Sequence, residues 1–124
     1  MSPFAWSDFL ALARRVARRT TSEADQRTAI SRAYYAVFHA ASAFIRAKTL
    51  VPPTERLTHD KVWTLLAADP GPDRADVGRR GFVLKLLRVD ADYKNPFPRP
   101  DINRLTADAL PEADALILAI SRLT

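Results

Sequence analysis

The chain has 124 residues, of which 48% are hydrophobic and 27% charged, with three glycines and no cysteine. This length suits one domain over residues 1–124, and the composition excludes a disordered, fibrous or disulfide-stapled protein. The formal charge of +5 favours a polyanionic partner such as RNA. Because no secretory signal or membrane span is apparent, we expect a cytoplasmic protein that acts without a membrane.

The first predicted helix runs from about Pro3 to Arg19, with the proline in its opening turn. Its apolar stripe at helical spacing consists of Trp6, Phe9, Leu10, Ala13, Val16 and Ala17. Arginines crowd its end, at Arg14, Arg15, Arg18 and Arg19. Two interpretations stay open for them, a solvated face that offsets the helix dipole or a basic patch for an anionic partner.

The second predicted helix is the longest and begins after Ser22, which forms a capping-box pattern with Asp25, and ends near Lys48. Its core face is one apolar arc of Ile30, Ala33, Tyr34, Val37, Phe38, Ala41, Phe44 and Ile45. The opposite side carries a polar stripe suited to an anionic partner, made of Arg32, Tyr35, His39 and Arg46. A row of small residues indicates either helix propensity or a close packing seam, at Ala29, Ala36, Ala40, Ala43 and Ala47.

Prolines 52 and 53 interrupt this pattern, and Thr58 is predicted to cap a short third helix that ends near Ala68. After the turn sequence DPGPD, a fourth helix is predicted from about Arg74 to Asp92. Two apolar arcs predict its burial on two sides, one with Val77, Val83, Leu84, Leu87 and Ala91, the other with Phe82, Leu86 and Val89. Between them runs a stripe expected to line a seam, made of Gly81, Lys85, Arg88 and Asp92.

Three prolines in residues 95–100, NPFPRP, predict an extended connection before the last helix. Thr106 is the predicted cap of that helix, with Pro111 near its first turns. No segment shows the two-residue alternation of a strand. The pattern therefore predicts an all-α fold, an up-and-down bundle of four main helices plus a short helix.

The usual signatures of catalysis are absent from the sequence, including a phosphate loop, a nucleophile elbow and the spacing of a zinc site. His39 and His59 stand twenty residues apart with no carboxylate pattern around them. We therefore expect neither a metal nor another cofactor. Arginine, tyrosine, histidine and aspartate can still neutralise a phosphate, or position a ribose 2′-hydroxyl for in-line attack.

Three segments in order resemble the small prokaryotic HEPN proteins: SRAYYAVFHAASAFI at 31–45, THDKVWTLL at 58–66 and RVDADY at 88–93. The subgroup concerned has an AYYA-type second helix and an R-x-x-A-D-Y element. This resemblance implies a helical bundle, a homodimer, and a place in toxin–antitoxin, defence or RNA-processing systems, often beside a minimal nucleotidyltransferase. It also implies a metal-independent endoribonuclease with its arginine and histidine in a cleft between subunits.

Arg88 matches the family's arginine, whereas the position five residues later is Tyr93 and not a histidine. A phenol of ordinary acidity is a poor general base at neutral pH, while an imidazole is well placed. Tyr93 is therefore expected to bond a phosphate or stack on a base. The predicted catalytic group is Arg88, Tyr93 and Asp92, and the predicted substrate-binding group is Lys85, Arg32, Tyr35 and His39.

Structural interpretations of the same residues stay open. Arg88 and Asp92 have the spacing of an ordinary surface ion pair, and Tyr93 can cover the core. Tyr34 is expected to be structural, with its hydroxyl on a buried partner, and His59 to pack in the first turn of the third helix. His39 either supplies the missing acid–base group or is a hydrogen-bonded helix histidine.

Two functional alternatives to RNA or nucleotide binding remain. In the first, the chain is a non-catalytic interaction module that partners a minimal nucleotidyltransferase, with Tyr93 as an anchor or a modification target. In the second, the alanine row only assembles the protein and the polar face contacts solvent.

Overall fold

A computed structural model describes residues 4–19 and 22–124, and in this part of the chain every regular element is an α-helix. The helices are α1 (Asp8–Arg19), α2 (Glu23–Ala47), α3 (His59–Ala67), α4 (Pro72–Tyr93) and α5 (Ile102–Ser121). The predicted all-α fold with one short helix is confirmed. Within the described ranges, none of the helices combines the length and hydropathy needed to cross a membrane.

Helix α2 lies at the centre and packs against each of the other four helices. All eight residues of its predicted apolar arc are buried, so periodicity identified the core face correctly. Of the small residues beside that arc, Ala29 and Ala36 are buried within the chain, whereas Ala43 and Ala47 are exposed. The first half of the alanine row therefore serves packing inside this bundle.

Two of the predicted helix caps are confirmed by hydrogen bonds. Ser22 Oγ accepts from the amide of Asp25 at 3.1 Å, and Thr58 Oγ1 accepts from the amide of Lys61 at 3.2 Å. Each bond satisfies an amide that has no partner inside its helix. The caps fix where α2 and α3 begin, and therefore which faces these helices turn towards α4.

Three predicted helix starts were wrong. Helix α1 begins at Asp8, and Pro3 lies outside the described residues. Helix α4 begins at Pro72, because a proline fits the first turn, where its missing amide costs least. Helix α5 begins after Asp101, whose side chain accepts from the amide of Arg104 at 3.1 Å.

Thr106 is therefore not a cap but a buried residue inside α5. Its hydroxyl donates to the carbonyl of Ile102, four residues earlier in the same helix, at 2.9 Å. Threonine side chains inside a helix commonly make this bond. Pro111 lies in the middle of α5 rather than near its first turns, and it is exposed. Residues 95–100 are outside any helix, as predicted.

The prediction that α4 is buried on two sides was also wrong. Its first arc is largely buried, but Val83 is 62% exposed, and Phe82 and Leu86 of the second arc are exposed as well. The helical spacing of apolar residues shows which faces of α4 are apolar, but it cannot show whether another helix covers them. Helix α4 thus keeps an apolar strip at the surface.

Two glycines of α4 allow α3 to approach closely. A Cβ atom added at Gly78 would lie 2.2 Å from the amide nitrogen of Ala67, and one at Gly81 would lie 2.2 Å from the ring of Trp63. Both distances are far below a van der Waals contact. The absence of side chains here lets Trp63 bury itself completely between α3 and α4.

Candidate functional site

Arg88 is the most unusual charged residue of the described chain, because it is only 4% exposed. Its guanidinium carbon lies 5.1 Å from the ring centre of Tyr34, 5.5 Å from that of Tyr35 and 5.7 Å from that of Tyr93. The three rings, two from α2 and one from the end of α4, surround the cation where α3 also packs, and this junction of α2, α3 and α4 is named the crevice. Aromatic faces attract a cation, but they do not replace the acceptors that a buried guanidinium needs.

The guanidinium of Arg88 is incompletely paired. Its terminal nitrogen is 3.5 Å from a carboxylate oxygen of Asp92, which is long for a charged hydrogen bond. Its Nε is buried and has no hydrogen-bond partner. A buried cation in this state is costly, because desolvation is not repaid by full pairing.

Asp92 is itself shared with another residue. The buried Ser31 of α2 donates its hydroxyl to the same carboxylate at 3.1 Å, so this aspartate joins α2 to α4 as well as facing Arg88. Its side chain keeps a quarter of its surface exposed. Asp92 therefore orients Arg88 and partly balances its charge. A groove of about 310 Å³ opens beside it, between α2 and α4, with Arg32 on its wall.

A hydrogen-bonded chain of three aromatic residues lies on the other side of Arg88. Trp63 Nε1 donates to the Tyr34 hydroxyl at 3.0 Å, and that hydroxyl is 2.7 Å from His59 Nδ1. Because an indole N–H can only donate, the proton of Tyr34 is free to bond His59 Nδ1. A neutral His59 in this arrangement carries its own proton on Nε2. Tyr34 thus has the buried partner that was predicted for its hydroxyl.

The surroundings set the charge state of Tyr34 and His59, the two titratable residues of these hydrogen bonds. Burial raises the pKa of Tyr34 to about 12, so the phenol stays protonated at neutral pH. Burial also lowers the pKa of His59 below its usual 6.5, and the positive charges of Arg88 and Lys85 lower it further. His59 is therefore a neutral imidazole beside a buried cation.

Sequence reasoning placed His59 in a packing role and missed its contact with the crevice. A signal was present, because His59 shares a helix face with Val62, Trp63 and Leu66 at i, i+3, i+4 and i+7. That face is the buried one of α3. The residue it meets, Tyr34, lies on another helix, and a helical period cannot identify a neighbour across helices.

Lys85, a predicted substrate-binding residue, is already engaged. Its ammonium is 2.6 Å from a carboxylate oxygen of Asp60, and this hydrogen bond lowers the pKa of Asp60. Lys85 contributes positive potential at His59, but its charge is balanced by an exposed carboxylate. The ion pair with Asp60 therefore occupies the ammonium that was predicted to bind the substrate.

The residues of the predicted polar stripe of α2 lie in three different surroundings. Tyr35 faces Arg88, and Arg32 lies 5.1 Å from the ring centre of Tyr35. His39 stacks on Trp6, with ring centres 3.6 Å apart, and burial lowers the pKa of His39. Arg46 is elsewhere, where it donates to the carbonyl of Glu55 at 2.6 Å and ties down the loop before α3.

Tyr93 is 72% exposed and lies at the last position of α4. The segment around it is held to α2 by Arg27, which donates to the carbonyl of Ala91 at 3.1 Å and to that of Lys94 at 2.6 Å. Its ring lies near the guanidinium of Arg88 while most of its surface faces solvent. Tyr93 therefore partly covers the crevice and does not contribute to the core.

The chain matches no protein-family model, no curated protein and no solved structure. The resemblance to HEPN proteins stays a prediction. Within residues 4–19 and 22–124, no three histidine, aspartate or glutamate side chains are grouped as metal ligands would be.

Proposed function

We propose that this protein binds RNA or a nucleotide through a phosphate group placed at Arg88, in the crevice between α2, α3 and α4. The observation that carries the proposal is the state of Arg88, a buried guanidinium with an unpaired Nε and a single carboxylate at 3.5 Å. A guanidinium presents a flat fork of donors that matches the oxygens of a phosphate. A bound phosphate would supply both the missing acceptor and the missing negative charge.

Entry to the crevice requires one side chain to move. Tyr93 is largely exposed and ends its helix, so its ring can rotate away from Arg88 without disturbing the core. Arg32 lies at the adjoining groove and can meet the next phosphate of a strand. In this arrangement Arg88, Tyr93, Arg32 and Tyr35 contact the ligand, while Asp92 orients the arginine and Lys85 adds positive potential.

The same crevice supports a metal-independent endoribonuclease, the activity that the HEPN resemblance implies. Cleavage of this kind forms a bond from the ribose 2′-oxygen to phosphorus and breaks the bond to the 5′-oxygen, leaving a cyclic phosphate. Arg88 would stabilise charge on the phosphoryl oxygens. To take the proton of the 2′-hydroxyl, His59 would have to break its Nδ1 hydrogen bond with Tyr34, and the imidazolium so formed would then give that proton to the departing 5′-oxygen.

The binding proposal is tested by fluorescence anisotropy of a labelled single-stranded RNA at several salt concentrations. We expect binding that weakens steeply with salt, because phosphate contacts release counterions. Arg88→Ala should lower the affinity at least tenfold, about 1.4 kcal/mol. The control is Arg104→Ala, which removes an exposed arginine of α5 at the same cost in net charge. Equal losses in both variants would show that only overall charge attracts RNA.

Cleavage is tested separately by incubating the same RNA with the protein in EDTA. We expect a 2′,3′-cyclic phosphate product with the wild type and none with Arg88→Ala. A purified wild type that binds diverse RNAs and leaves all of them intact would remove the enzymatic part of the proposal and keep the binding part.

A second candidate is an interaction module, and the exposed apolar strip of α4 favours it. Phe82, Val83 and Leu86 lie at the surface, where a second copy of the chain or a protein such as a minimal nucleotidyltransferase would cover them. A homodimer formed here would agree with the HEPN resemblance and with a toxin–antitoxin role. Co-purification with such a partner supports this candidate, and RNA cleavage by the isolated chain contradicts it.

A further inference from the structure

Trp6 was predicted to lie on the core stripe of the first helix, but it lies before α1 and remains 45% exposed. Its indole stacks on the imidazole of His39, with ring centres 3.6 Å apart and planes 13° from parallel. Phe4 and Phe9 contact the same indole, at ring-centre distances of 5.2 and 5.6 Å. These neighbours hold the indole in place while nearly half of its surface stays open to solvent.

This aromatic group is continuous with the crevice. The ring centre of His39 is 6.3 Å from that of Tyr35, and Tyr35 in turn lies 5.5 Å from the guanidinium of Arg88. Arg32 lies between the two ends, 4.9 Å from the ring of Phe9 and 5.1 Å from that of Tyr35. Aromatic faces and cations therefore lie side by side from Trp6 to Arg88.

Such a combination matches the chemistry of a nucleic-acid strand, in which flat bases project from a chain of phosphates. Proteins bind single strands by stacking bases on aromatic side chains while cations follow the phosphates. A duplex cannot use a stacking platform of this kind, because its bases are already stacked on one another. The arrangement therefore selects single strands over duplexes and favours no particular base.

We infer that Trp6 and His39 form a stacking platform for a base of single-stranded RNA whose phosphate lies at Arg88. This inference rests on the proposed function, since the platform has a role only if a strand is held in the crevice. Trp6 contacts the base directly. His39 acts as a positioning residue that supports the indole from one face.

The alternative is that Trp6 only anchors the segment before α1 onto α2. The two interpretations differ in what Trp6→Phe and Trp6→Ala do. A phenyl ring retains a stacking face, so Trp6→Phe should keep most of the RNA affinity, whereas Trp6→Ala should lose it. The matched control is Leu118→Ala, which removes an exposed large side chain from α5.

The test measures binding of a labelled single-stranded RNA octamer, of the same octamer in a duplex, and of inorganic pyrophosphate as a probe of the Arg88 end. We expect Trp6→Ala to lower octamer affinity about tenfold, the size of one lost base stack, with pyrophosphate binding unchanged. The slope of log affinity against log salt should also stay unchanged, because a stack releases no counterions. The duplex should bind more weakly than the octamer.

Tryptophan fluorescence gives an independent readout. The chain has two tryptophans, and Trp63 is fully buried, so quenching by the octamer should come from Trp6. The quenching should vanish in Trp6→Phe while the affinity largely remains.

The inference is overturned if Trp6→Ala binds the octamer as the wild type does, or if the duplex binds equally well. It is also overturned if Trp6→Ala loses octamer and pyrophosphate together with its folded stability, since Trp6 would then be only an anchor. If the wild type binds neither probe, the proposed function itself fails. Pyrophosphate binding without any effect of Trp6 would leave the proposed function standing and refute the platform alone.

Discussion

Arg80 and Arg88 both lie on α4, eight residues apart, and they are in opposite electrostatic situations. Arg80 is 33% exposed and donates to both carboxylate oxygens of Glu112, at 2.6 and 3.1 Å, and to Asp76 at 3.1 Å. The hydrogen bonds to Glu112 raise the pKa of Arg80. Arg88 is almost completely buried and has one carboxylate at 3.5 Å and an unpaired Nε.

This difference is the reason for proposing Arg88, and not Arg80, as the ligand-binding arginine. Arg80 joins α4 to α5 and has all the partners that a partly exposed guanidinium requires. Arg88 is buried with one carboxylate at 3.5 Å, a hydrogen bond to the Tyr34 hydroxyl and an unpaired Nε, which is weaker pairing than that of the more exposed Arg80. Burial and pairing separate the two, whereas residue type and helix position do not.

The largest change in stability should come from filling the space on α4 into which Trp63 of α3 packs. Gly81→Ala would place a methyl group 2.2 Å from the buried Trp63 ring, and the packed ring has no room to yield. We expect a loss of about 3 kcal/mol in the free energy of unfolding, measured by urea denaturation. Gly71→Ala is the control, because its methyl would meet only Asp69 Oδ1 at 3.1 Å. An equal loss in both variants would contradict the tight packing of the crevice wall.

The next effect concerns the hydrogen-bonded chain beside Arg88. Tyr34→Phe removes the acceptor of the buried Trp63 N–H and the partner of His59. Leaving the indole N–H unsatisfied should cost about 2 kcal/mol of stability. Tyr35→Phe, with no hydrogen bond at its hydroxyl in the described part of the chain, should change stability by less than about 0.5 kcal/mol. Similar losses of stability in the two variants would show that the hydrogen bonds of Tyr34 to Trp63 and His59 do not form.

The arginines themselves should differ in stability. Arg80→Met leaves Glu112 without its cation and Asp76 with only Arg79 at 3.9 Å, and we expect a loss of roughly 1 kcal/mol in the free energy of unfolding, since these groups are partly exposed. Arg88→Met replaces a poorly paired buried charge by an apolar chain of similar length. It should leave stability unchanged or raise it. A strongly destabilised Arg88→Met variant would mean that Arg88 serves the fold.

The smallest effect is a dependence on pH. The pKa values of His59 and His39 are lowered by burial in the folded protein, so the unfolded chain binds more protons near pH 6. The contribution of these histidines to the free energy of unfolding should therefore be complete above the unfolded-state pKa of about 6.5. It should decrease as the pH falls below that pKa. Urea denaturation at pH 7.5 and at pH 5.5 measures the two free energies of unfolding, and His59→Gln and His39→Gln should each reduce the difference between them. A wild type that is equally stable at the two pH values would contradict this prediction.

The helical period predicted the core of α2 and the caps at Ser22 and Thr58, because these depend on residues close in sequence. The start of α5 was missed, since Asp101 and Thr106 are both capable caps and packing decided between them. The exposure of Val83 was missed because an apolar face predicts burial only when a neighbour exists to cover it.

Part of the candidate site was also predictable. The stripe on α4 led to Arg88 and to its place in a seam between helices. His59 and Trp63 could not be assigned to it, because they reach Arg88 through Tyr34, which is separated from His59 by 25 residues of sequence. Trp6 was placed in the core because its spacing continued the stripe of α1, although the helix begins after it.

The most direct test of the account compares phosphate binding by the two arginine variants. Isothermal titration with inorganic pyrophosphate should give the same affinity for the wild type and Arg80→Met, and an affinity at least tenfold lower for Arg88→Met. Equal binding by all three proteins, or an equal loss in both variants, would contradict the assignment of Arg88 as the phosphate-binding residue.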